Sequence, residues 1–412
     1  MPKAENHLVA VDIGSSKIGV LIALPDGHGG AEVVGRGESP NRGTRKGNIV
    51  NVEATVDALK QASEEAEVMA GIEIERAYVG VAGTDLRSVN SRGMVSVSRK
   101  DREITRHDIA RVLEAAQSAA LPSDREILHA IPQEFIVDEQ AGISDPLGML
   151  GSRLEVAVHL VTANMTRNKT LLTCVNRAGI EAVEMVFEPL ATAESILTHD
   201  ERELGVLMVD IGAGTTDYAF FLEGEVRHSA VMPVGAGHFT NDLAMVLRTP
   251  FGEAERVKVS QGCCLVGMVG EDEGISVPAV AGGGARVVPR RELCDILQPR
   301  AEELMSLMRD DLAKLGLESE MRGGVVLTGG GAQLDGLLEL SQQVFNVPVR
   351  YGVPTGLGGL VDVISSPTWS TAAGLLLYGL HAAENQKREA RTRGFTVSGM
   401  LGNFKEMFSD LL

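Results

Sequence analysis

Two short apolar runs, each followed by Asp-Ile-Gly and then by a second apolar run, dominate the hydrophobic pattern of the chain. The first pair of runs covers residues 8–11 and 18–22, and the second covers 206–209 and 218–221. Apolar runs on either side of a small polar turn are typical of hairpins, so each copy predicts strand, turn and strand. The matching order of the two copies predicts a duplicated unit.

The turns between these runs combine glycines with hydroxyl side chains. They cover residues 12–17 in the first copy and 210–217 in the second. Glycine lets backbone N–H groups approach phosphate oxygens closely, and successive N–H groups of a turn form an anion-binding nest. One such turn alone is more often an ordinary hairpin turn, but two copies favour a pair of phosphate-binding turns. The candidate phosphate ligands are Gly14, Ser15, Ser16, Lys17, Gly212, Gly214, Thr215 and Thr216.

An aspartate stands at the end of each leading strand, Asp12 in the first copy and Asp210 in the second. Mg2+ takes few protein carboxylates and keeps several waters, so one acid from each copy is a suitable set of ligands. We therefore predict that both aspartates bind Mg2+, directly or through water. Lys17 supplies positive charge for a terminal phosphate.

A third glycine-rich element, Gly329, Gly330 and Gly331, follows a short apolar run. Backbone without side chains can lie against a nucleotide, although the same sequence also suits a flexible turn after a strand. After two phosphate-binding turns, we interpret it as part of an adenosine site. The residues expected to complete this site are Gly235, Gly237, Glu255 and Lys258. The last two are three apart on a predicted helix, so a solvated charged face is the alternative.

The remaining pattern divides the chain into α/β material and one insertion. Residues 52–70 have the apolar period of a helix, and residues 76–83 form an apolar run typical of a buried strand. Between 84 and 163 the pattern changes to a charged segment, a helix predicted over 106–120 and separate strands. We predict an inserted α+β subdomain within an α/β chain.

Length and charge limit the classes of protein that remain. With 412 residues the chain exceeds one ordinary hydrophobic core, so at least two domains are expected. The 38 Lys and Arg against 56 Asp and Glu give a net charge of −18, which disfavours nucleic acid as a partner. Four cysteines without CxxC spacing suit a reducing cytoplasm. We expect no signal peptide, and no stretch approaches the ~20 apolar residues that span a bilayer.

The segment 399–412 has apolar residues at helical spacing and follows a polar linker at 384–398. At ~100° per residue, its apolar side chains fall within an arc of roughly 140° and its polar side chains fall outside that arc. The pattern predicts an amphipathic helix that binds a membrane interface, and packing on its own domain or on a partner is the alternative. The membrane-contacting residues are expected to be Met400, Leu401, Phe404, Met407, Phe408, Leu411 and Leu412.

In chain order, five segments resemble the motifs of the actin-like ATPases, a superfamily that includes actin, bacterial shape-determining filaments, DnaK-type chaperones and sugar kinases. These segments are 12–17, 188–193, 210–217, 328–331 and 368–374. The resemblance implies a two-lobed actin-like ATPase fold with ATP and Mg2+ in the cleft. Within this superfamily, the insertion after Gly83, the run at 249–255 and the tail are similar to the FtsA family of bacterial cell-division proteins.

That similarity implies a division of the chain into four subdomains and a tail. Subdomain 1A would cover residues 1–83, 164–195 and 361–383, and the inserted subdomain 1C would cover 84–163. Subdomain 2A would cover 196–226 and 304–360, and subdomain 2B would cover 227–303. The linker at 384–398 and the amphipathic membrane-targeting helix at 399–412 would complete the chain.

The resemblance also implies a function. It implies an ATP-binding protein that polymerises into actin-like protofilaments on the inner membrane at the division septum and anchors FtsZ filaments there through its tail. Subdomain 2B would bind the C-terminal peptide of FtsZ, and subdomain 1C would help to recruit later division proteins. Candidate contacts for an acidic peptide, which are equally suited to solvated surface positions, are Arg286, Arg290, Arg291 and Arg300. A pilus-assembly-type actin-like cytoplasmic adaptor is the alternative.

For hydrolysis, the resemblance implies that Asp12 and Asp210 organise Mg2+ while Glu188 orients an attacking water. Glu188 precedes Pro189, and both residue types favour the first turn of a helix, which is the alternative role. We expect weak ATPase activity, so the protein is predicted to be primarily a nucleotide-binding protein and only secondarily an ATPase. A small-molecule kinase would need a general base that no motif here nominates, and a chaperone would need a further peptide-binding domain.

Overall fold

The computed structural model describes residues 7–98, 101–118, 121–270, 273–280 and 284–393. The strands are β1 Leu8–Ile13, β2 Lys17–Pro25, β3 Ala31–Pro40, β4 Thr44–Arg45, β5 Asn48–Ile49, β6 Arg76–Val81, β7 Arg87–Ser96, β8 Arg125–Val137, β9 Gln140–Ile143, β10 Arg153–Asn164, β11 Glu181–Phe187, β12 Val206–Ile211, β13 Thr216–Leu222, β14 Glu225–Met232, β15 Gly274–Pro278, β16 Ala285–Pro289, β17 Gly324–Thr328, β18 Val349–Tyr351 and β19 Leu357–Gly359. The helices are α1 Val52–Ala70, α2 Arg106–Gln117, α3 Met165–Arg177, α4 Glu188–Ile196, α5 His199–Leu204, α6 Ala236–Val246, α7 Phe251–Gln261, α8 Arg290–Lys314, α9 Leu337–Phe345, α10 Val361–Ile364 and α11 Ser370–Arg393.

The first lobe is built on a six-stranded sheet with the order β11-β6-β1-β2-β3-β19. Both faces of this sheet are covered by helices, as expected for a sheet with parallel neighbours. Val11 and Ile13 of β1 point to the side of Leu59 on α1, whereas Ala10 lies in a second core with Leu376 of α11. The alternation along β1 therefore buries both sides of the strand and leaves its end, at Asp12, in the cleft.

The second lobe repeats this arrangement with a five-stranded sheet in the order β14-β13-β12-β17-β18. β12 pairs antiparallel with β13 and parallel with β17, just as β1 pairs antiparallel with β2 and parallel with β6. A single large core joins this sheet to α6, α7, α8 and α9. The duplicated hairpin predicted from the two Asp-Ile-Gly copies is thus the centre of both lobes.

The inserted segment forms a separate four-stranded sheet with the order β7-β10-β8-β9. Helix α2 covers one face of this sheet and buries Ile109, Val112 and Leu113 against strand residues such as Val156. The helix begins after Thr105, whose hydroxyl bonds to the Asp108 carboxylate as in a capping box. The prediction of an α+β insertion in an α/β chain is confirmed.

Several element bounds differ from the divisions expected from sequence. The proposed boundaries at 227 and 303 fall inside β14 and α8, which are continuous elements. Helix α11 runs to Arg393, so the first part of the predicted linker is helical backbone. The predicted helix at 52–70 is confirmed as Val52–Ala70. The segment 399–412, with its predicted membrane helix, lies outside the described residues.

Candidate functional site

A cavity of about 460 Å³ lies between the two lobes, where the ends of β1, β12 and β17 meet. Its walls contain the first turn, most of the second turn and the third glycine element. The predicted site residues in the walls are Asp12, Gly14, Ser15, Ser16, Lys17, Glu188, Asp210, Gly212, Gly214, Thr215, Glu255, Lys258, Gly329, Gly330 and Gly331. Parts of the chain that are distant in sequence therefore form one site.

Three predicted residues lie behind the wall rather than in it. Thr216 is fully buried, and its hydroxyl donates to the Val234 carbonyl at 2.8 Å. Gly235 is the N-cap of α6, and the Gly237 N–H donates to the Ala213 carbonyl at 2.8 Å. These contacts hold the second turn against the beginning of α6, so these residues support the turn from behind.

Four carboxyl groups gather at the base of the cavity. Removal from water raises the pKa of Asp12 to about 6, although the charge of Lys17 acts in the opposite direction. Desolvation, and then the charge of Asp12, raise the pKa of Asp210 to about 6. The pKa of Asp217 rises to about 7 through desolvation and then through Asp210. Burial, followed by the charge of Asp12, raises the pKa of Glu188 well above its usual range.

This acidic cluster lacks partners for two of its oxygens within the part of the chain that the structure describes. Glu188 Oε1 and Asp217 Oδ1 are buried without a hydrogen-bond donor, whereas Asp210 Oδ2 accepts from the Thr371 hydroxyl at 3.0 Å. Buried carboxylates without compensation are costly, and a bound cation reverses that cost. The described residues include no set of three His, Cys, Asp or Glu placed to chelate a metal directly. The carboxylate oxygens without a donor suit a hard cation such as Mg2+, which prefers oxygen ligands.

Lys17 lines the cavity, but its ammonium group contacts residues on the side of the first lobe. Its Nζ lies 4.1 Å from the centre of the Trp369 ring and 3.6 Å from Glu38 Oε2. Arg36 also lies over Trp369, at 4.6 Å from the ring centre. The predicted phosphate-binding lysine is therefore held by a cation–π contact and an ion pair.

Glu255 and Lys258 form the pair expected from their spacing on α7. Lys258 Nζ lies 2.9 Å from Glu255 Oε2 and 2.9 Å from the Thr240 hydroxyl, and it also donates to the Ala236 carbonyl. Lys258 is only 8% exposed, so the alternative of a solvated charged face does not hold for it. The pair places one charged group of each sign in the wall of the cavity.

The third glycine element is required by the close approach of β17 to β12. Gly329 has φ +81°, and a Cβ at this position would lie 2.2 Å from Asp210 Oδ1. Gly330 has more space around it than Gly329, since a Cβ at 330 would lie 3.5 Å from Thr368, an ordinary van der Waals distance. Only a glycine at 329 allows the chain to turn beside the Asp210 carboxylate.

Sequence reasoning missed several residues of this site. Asp217 belongs to the second turn, and its cross-strand partner is Asp210, a pairing that the hairpin pattern could have indicated. The amide of Asn41 donates to the Gly14 carbonyl at 2.8 Å and holds the first turn from outside the motif. Thr371 reaches Asp210 from α11, far along the chain; it lies in the segment 368–374 that resembles the actin-like motifs, but no site role was assigned to it.

The arginines suggested for an acidic peptide already have partners. Arg290 Nη1 lies 2.9 Å from Glu273 Oε2, and Arg300 Nε lies 2.8 Å from Asp242 Oδ2. Arg286 donates to the Leu247 carbonyl at 2.8 Å. A peptide that used these side chains would have to compete with these internal contacts.

Among the described residues, no helix is long and apolar enough to cross a bilayer.

Comparison with known proteins identifies the family. A sequence model described as "Cell division protein FtsA" matches residues 207–374, and one described as "SHS2 domain inserted in FTSA" matches residues 83–162. The Cell division protein FtsA of Pseudomonas aeruginosa is 45% identical over 373 residues, which cover 90% of this chain and 89% of that protein. The chain belongs to the FtsA family of cell-division proteins.

Solved structures of more distant proteins support the fold of this FtsA family member. The PilM-PilN type IV pilus biogenesis complex contains a chain with a TM-score of 0.67 at 16% identity, covering 90% of this chain and 98% of that one. MreB5 of Spiroplasma citri bound to ADP has a TM-score of 0.57 at 15% identity, covering 95% and 100%. These likenesses confirm the actin-like fold. At such identities they do not favour the pilus-type adaptor over the FtsA family.

Proposed function

We propose that the cavity binds ATP with Mg2+, and the observation that carries this proposal is the uncompensated acidic cluster between two glycine-rich turns. Phosphates would accept from the backbone N–H groups and hydroxyls of the two turns. Asp12 and Asp210 would bind the ion, and its charge would lower the carboxylate pKa values that burial raises. The structure of an MreB5 protein with ADP, which shares the fold, supports a nucleotide of this class.

The adenosine would lie at the other end of the cavity. We assign this role to Glu255 and Lys258, whose mutual ion pair keeps both side chains at the cavity wall, and to the bare backbone of 329–331. The ammonium group of Lys258 uses its three donors within the protein, so Lys258 would act by fixing Glu255, whose Oε1 would accept from a sugar hydroxyl or a base amino group. Gly235 and Gly237 would act indirectly, by fixing the second turn against α6.

Hydrolysis would be a secondary property of this site. Glu188 is the first residue of α4, and burial, followed by the charge of Asp12, raises its pKa, which favours the protonated form of this carboxyl. A protonated carboxyl cannot accept a proton from water. A cation in the cavity would favour the ionised form, in which Glu188 would orient a water, and this dependence supports weak ATPase activity.

At the cellular level, we propose that this chain polymerises on the inner membrane, anchors FtsZ filaments there and helps to recruit later division proteins. Membership of the FtsA family supports this role. The helical spacing of apolar residues in 399–412 supports direct membrane contact at the division septum. Reversible binding by one short helix would be strengthened by avidity in a filament of several copies.

The subdomain roles follow the same proposal. The C-terminal peptide of FtsZ would bind 2B, here taken as residues 227–303, and later division proteins would bind the insertion 1C. Residues 1–83, 164–195 and 361–383 would form 1A, and residues 196–226 and 304–360 would form 2A. β14 and α8 continue across the two boundaries proposed for 2B, so these elements would connect 2A with 2B.

Co-sedimentation with liposomes that contain anionic lipid, in the presence of ATP and Mg2+, tests the membrane role. The full chain should pellet with lipid, and a chain ended after Arg393 or carrying Phe404→Glu with Phe408→Glu should stay in the supernatant. Asn403→Glu with Ser409→Glu adds the same charge on the predicted polar face and should still bind. Equal behaviour of all four chains would contradict the proposal.

The role in anchoring FtsZ needs a second measurement with the same chains. FtsZ should pellet with these liposomes only when the full chain or the polar-face variant is present. FtsZ that lacks its C-terminal peptide should remain in the supernatant. If FtsZ pellets equally with the tail-truncated chain, the anchoring proposal is wrong.

A further inference from the structure

A short hairpin of the first lobe, formed by β4 and β5, extends toward the second lobe. Arg45 pairs with Asn48, so the connecting turn consists of Lys46 and Gly47. Both turn residues have positive φ, 52° for Lys46 and 71° for Gly47, as a type I′ turn requires. Positive φ is uncommon at a lysine, so this position is held by its surroundings.

The 44–49 hairpin is fixed to the first phosphate turn by hydrogen bonds. The side chain of Asn41 donates to the Gly14 carbonyl and to the Thr44 hydroxyl, each at 2.8 Å. The Gly47 N–H donates to Ser15 Oγ at 3.0 Å, which orients a hydroxyl of the first turn. The hairpin therefore belongs rigidly to the first lobe.

The base of the hairpin is fixed as well. Asn48 donates to the Thr84 hydroxyl at 3.3 Å and accepts from Arg167 Nη1 at 2.8 Å. Arg167 in turn lies 3.2 Å from the Asp85 carboxylate. These contacts connect the hairpin to the start of the insertion and to α3, so its tip cannot move independently of the first lobe.

The tip of this hairpin reaches the second phosphate turn. A Cβ on Gly214 would lie 2.9 Å from the Lys46 backbone nitrogen and 2.6 Å from Ser15 Oγ, so only glycine permits this contact. Gly47 is part of the cavity wall beside the two turns. The tip thus touches both turns, and both turns line the cavity.

Lys46 brings a positive charge to this contact. Within the described part of the chain, its ammonium group has neither an ion pair nor a hydrogen bond. Burial lowers the pKa of His238, and the charge of Lys46 acts in the same direction. The backbone of Lys46 lies against Gly214 of the second phosphate turn. The long stem of lysine can carry the charge across the bare Gly214 into the cavity.

We propose that Lys46 is a specificity-determining residue that distinguishes a nucleoside triphosphate from a diphosphate by closing the phosphate end of the cavity. This inference rests on the proposed nucleotide site. The hairpin carries the charge from the first lobe onto the turn of the second lobe, so recognition of the additional phosphate would also hold the lobes together. The ammonium group of Lys46 would attract the additional phosphate of the triphosphate, which carries more negative charge than the diphosphate.

The test uses Lys46→Asn in the full chain with Mg2+, and calorimetric titration with ATP and with ADP. Asn-Gly is the preferred sequence for a type I′ turn, so this substitution removes the charge and keeps the hairpin. ATP affinity should fall about tenfold, the usual scale of one charge-assisted hydrogen bond, while ADP affinity changes less than about twofold. Lys46→Arg should retain the preference for ATP. Arg45→Ala, an exposed neighbour in the same hairpin, is the matched control and should behave as wild type.

The outcomes separate the two proposals. If the wild-type chain binds neither nucleotide, the proposed function fails and the role of Lys46 fails with it. If the wild-type chain binds ATP more tightly than ADP and Lys46→Asn keeps the same ratio, the nucleotide site stands and the role of Lys46 is wrong. Lys46→Gly, which tolerates positive φ without strain, repeats the test independently of the Asn side chain.

Discussion

His159 Nε2 lies 2.8 Å from the Ser229 hydroxyl, and this contact joins the inserted sheet to the edge strand of the second lobe. His159 Nδ1 lies 2.7 Å from Asn90 Oδ1 on β7. Side chains of the insertion also donate to backbone carbonyls of β14: Asn90 to Arg227 and Gln133 to Val226. Side chains of the insertion thus satisfy backbone carbonyls of the edge strand β14, which reduces its tendency to pair with another strand.

Ser229→Ala tests how much this contact stabilises the fold. Ser229 and His159 are each 1% exposed, so removal of the hydroxyl leaves a buried imidazole nitrogen without its partner. We expect a loss of about 1–3 kcal/mol in the free energy of unfolding, measured by denaturant titration. Ser260→Ala, on the exposed face of α7, removes a hydroxyl that donates to the Arg256 carbonyl of its own helix and should change stability by less than about 0.5 kcal/mol. Equal effects would mean that the docking of the insertion does not depend on Ser229.

Asp217→Asn tests the electrostatic cost of the acidic cluster. In the folded chain the pKa of Asp217 is about 7 against an ordinary value of 3.8, so the folded state binds more protons than the unfolded state between these values. Stability is therefore lost as the pH rises through this window. The neutral amide removes the loss, and the variant should be more stable than wild type by more than about 1 kcal/mol near neutral-to-alkaline pH.

The pH dependence provides the control for this prediction. The gain of Asp217→Asn should shrink as the pH falls toward 3.8, where the carboxyl is protonated in both states. Asp57→Asn, at an exposed position on α1, should show no such gain at any pH. Thermal unfolding in the absence of divalent cations measures both. A gain that is independent of pH would show that shape, not charge, explains the effect.

The contact of Lys17 with Trp369 offers a direct optical measurement, because Trp369 is the single tryptophan of the chain. A cation 4.1 Å from the ring centre influences its emission, and a phosphate in the cavity would compete for the same ammonium group. We expect titration with ATP and Mg2+ to change the fluorescence of the wild-type chain. Lys17→Gln should bind more weakly and lose most of this change, whereas Arg36→Gln should retain it. If Lys17→Gln gave the same fluorescence change as wild type, the change would not come from Lys17. The ammonium group of wild-type Lys17 would then stay over the Trp369 ring when ATP binds.

Local motifs explain which parts of this site could be predicted from the sequence. The strand ends at Asp12 and Asp210 and the turns after them follow from short-range patterns, and the structure brings them together as expected. The bond from Thr371 to Asp210 joins residues 161 positions apart, and hydrophobic periodicity contains no information about it. The position of Lys17 over Trp369 was missed for the same reason, since it depends on the packing of β2 against the segment before α11.

The presence of the insertion was also predictable, but its docking was not. A change in composition after residue 83 marks the segment, and α2 with its capping residues follows standard patterns. The polar side chains that bond to β14 lie on β7, β8 and β10, where alternation predicts only that they face away from the core under α2. Whether such a face meets water or another strand is decided by the relative placement of the two lobes.

Gly329→Ala, compared with Gly330→Ala, tests the requirement for bare backbone beside Asp210. At 329 an added Cβ would lie 2.2 Å from Asp210 Oδ1 and would also have to adopt φ +81°. The substitution should displace the Asp210 carboxylate, reduce stability by more than about 1 kcal/mol and weaken ATP binding at least about tenfold. At 330 the Cβ would make an ordinary contact at 3.5 Å with Thr368, so stability should stay close to wild type. Because the two glycines are neighbours in one turn, a loss at both would indicate a general need for flexibility, whereas a loss at 329 alone identifies the approach of β17 to Asp210 as the cause.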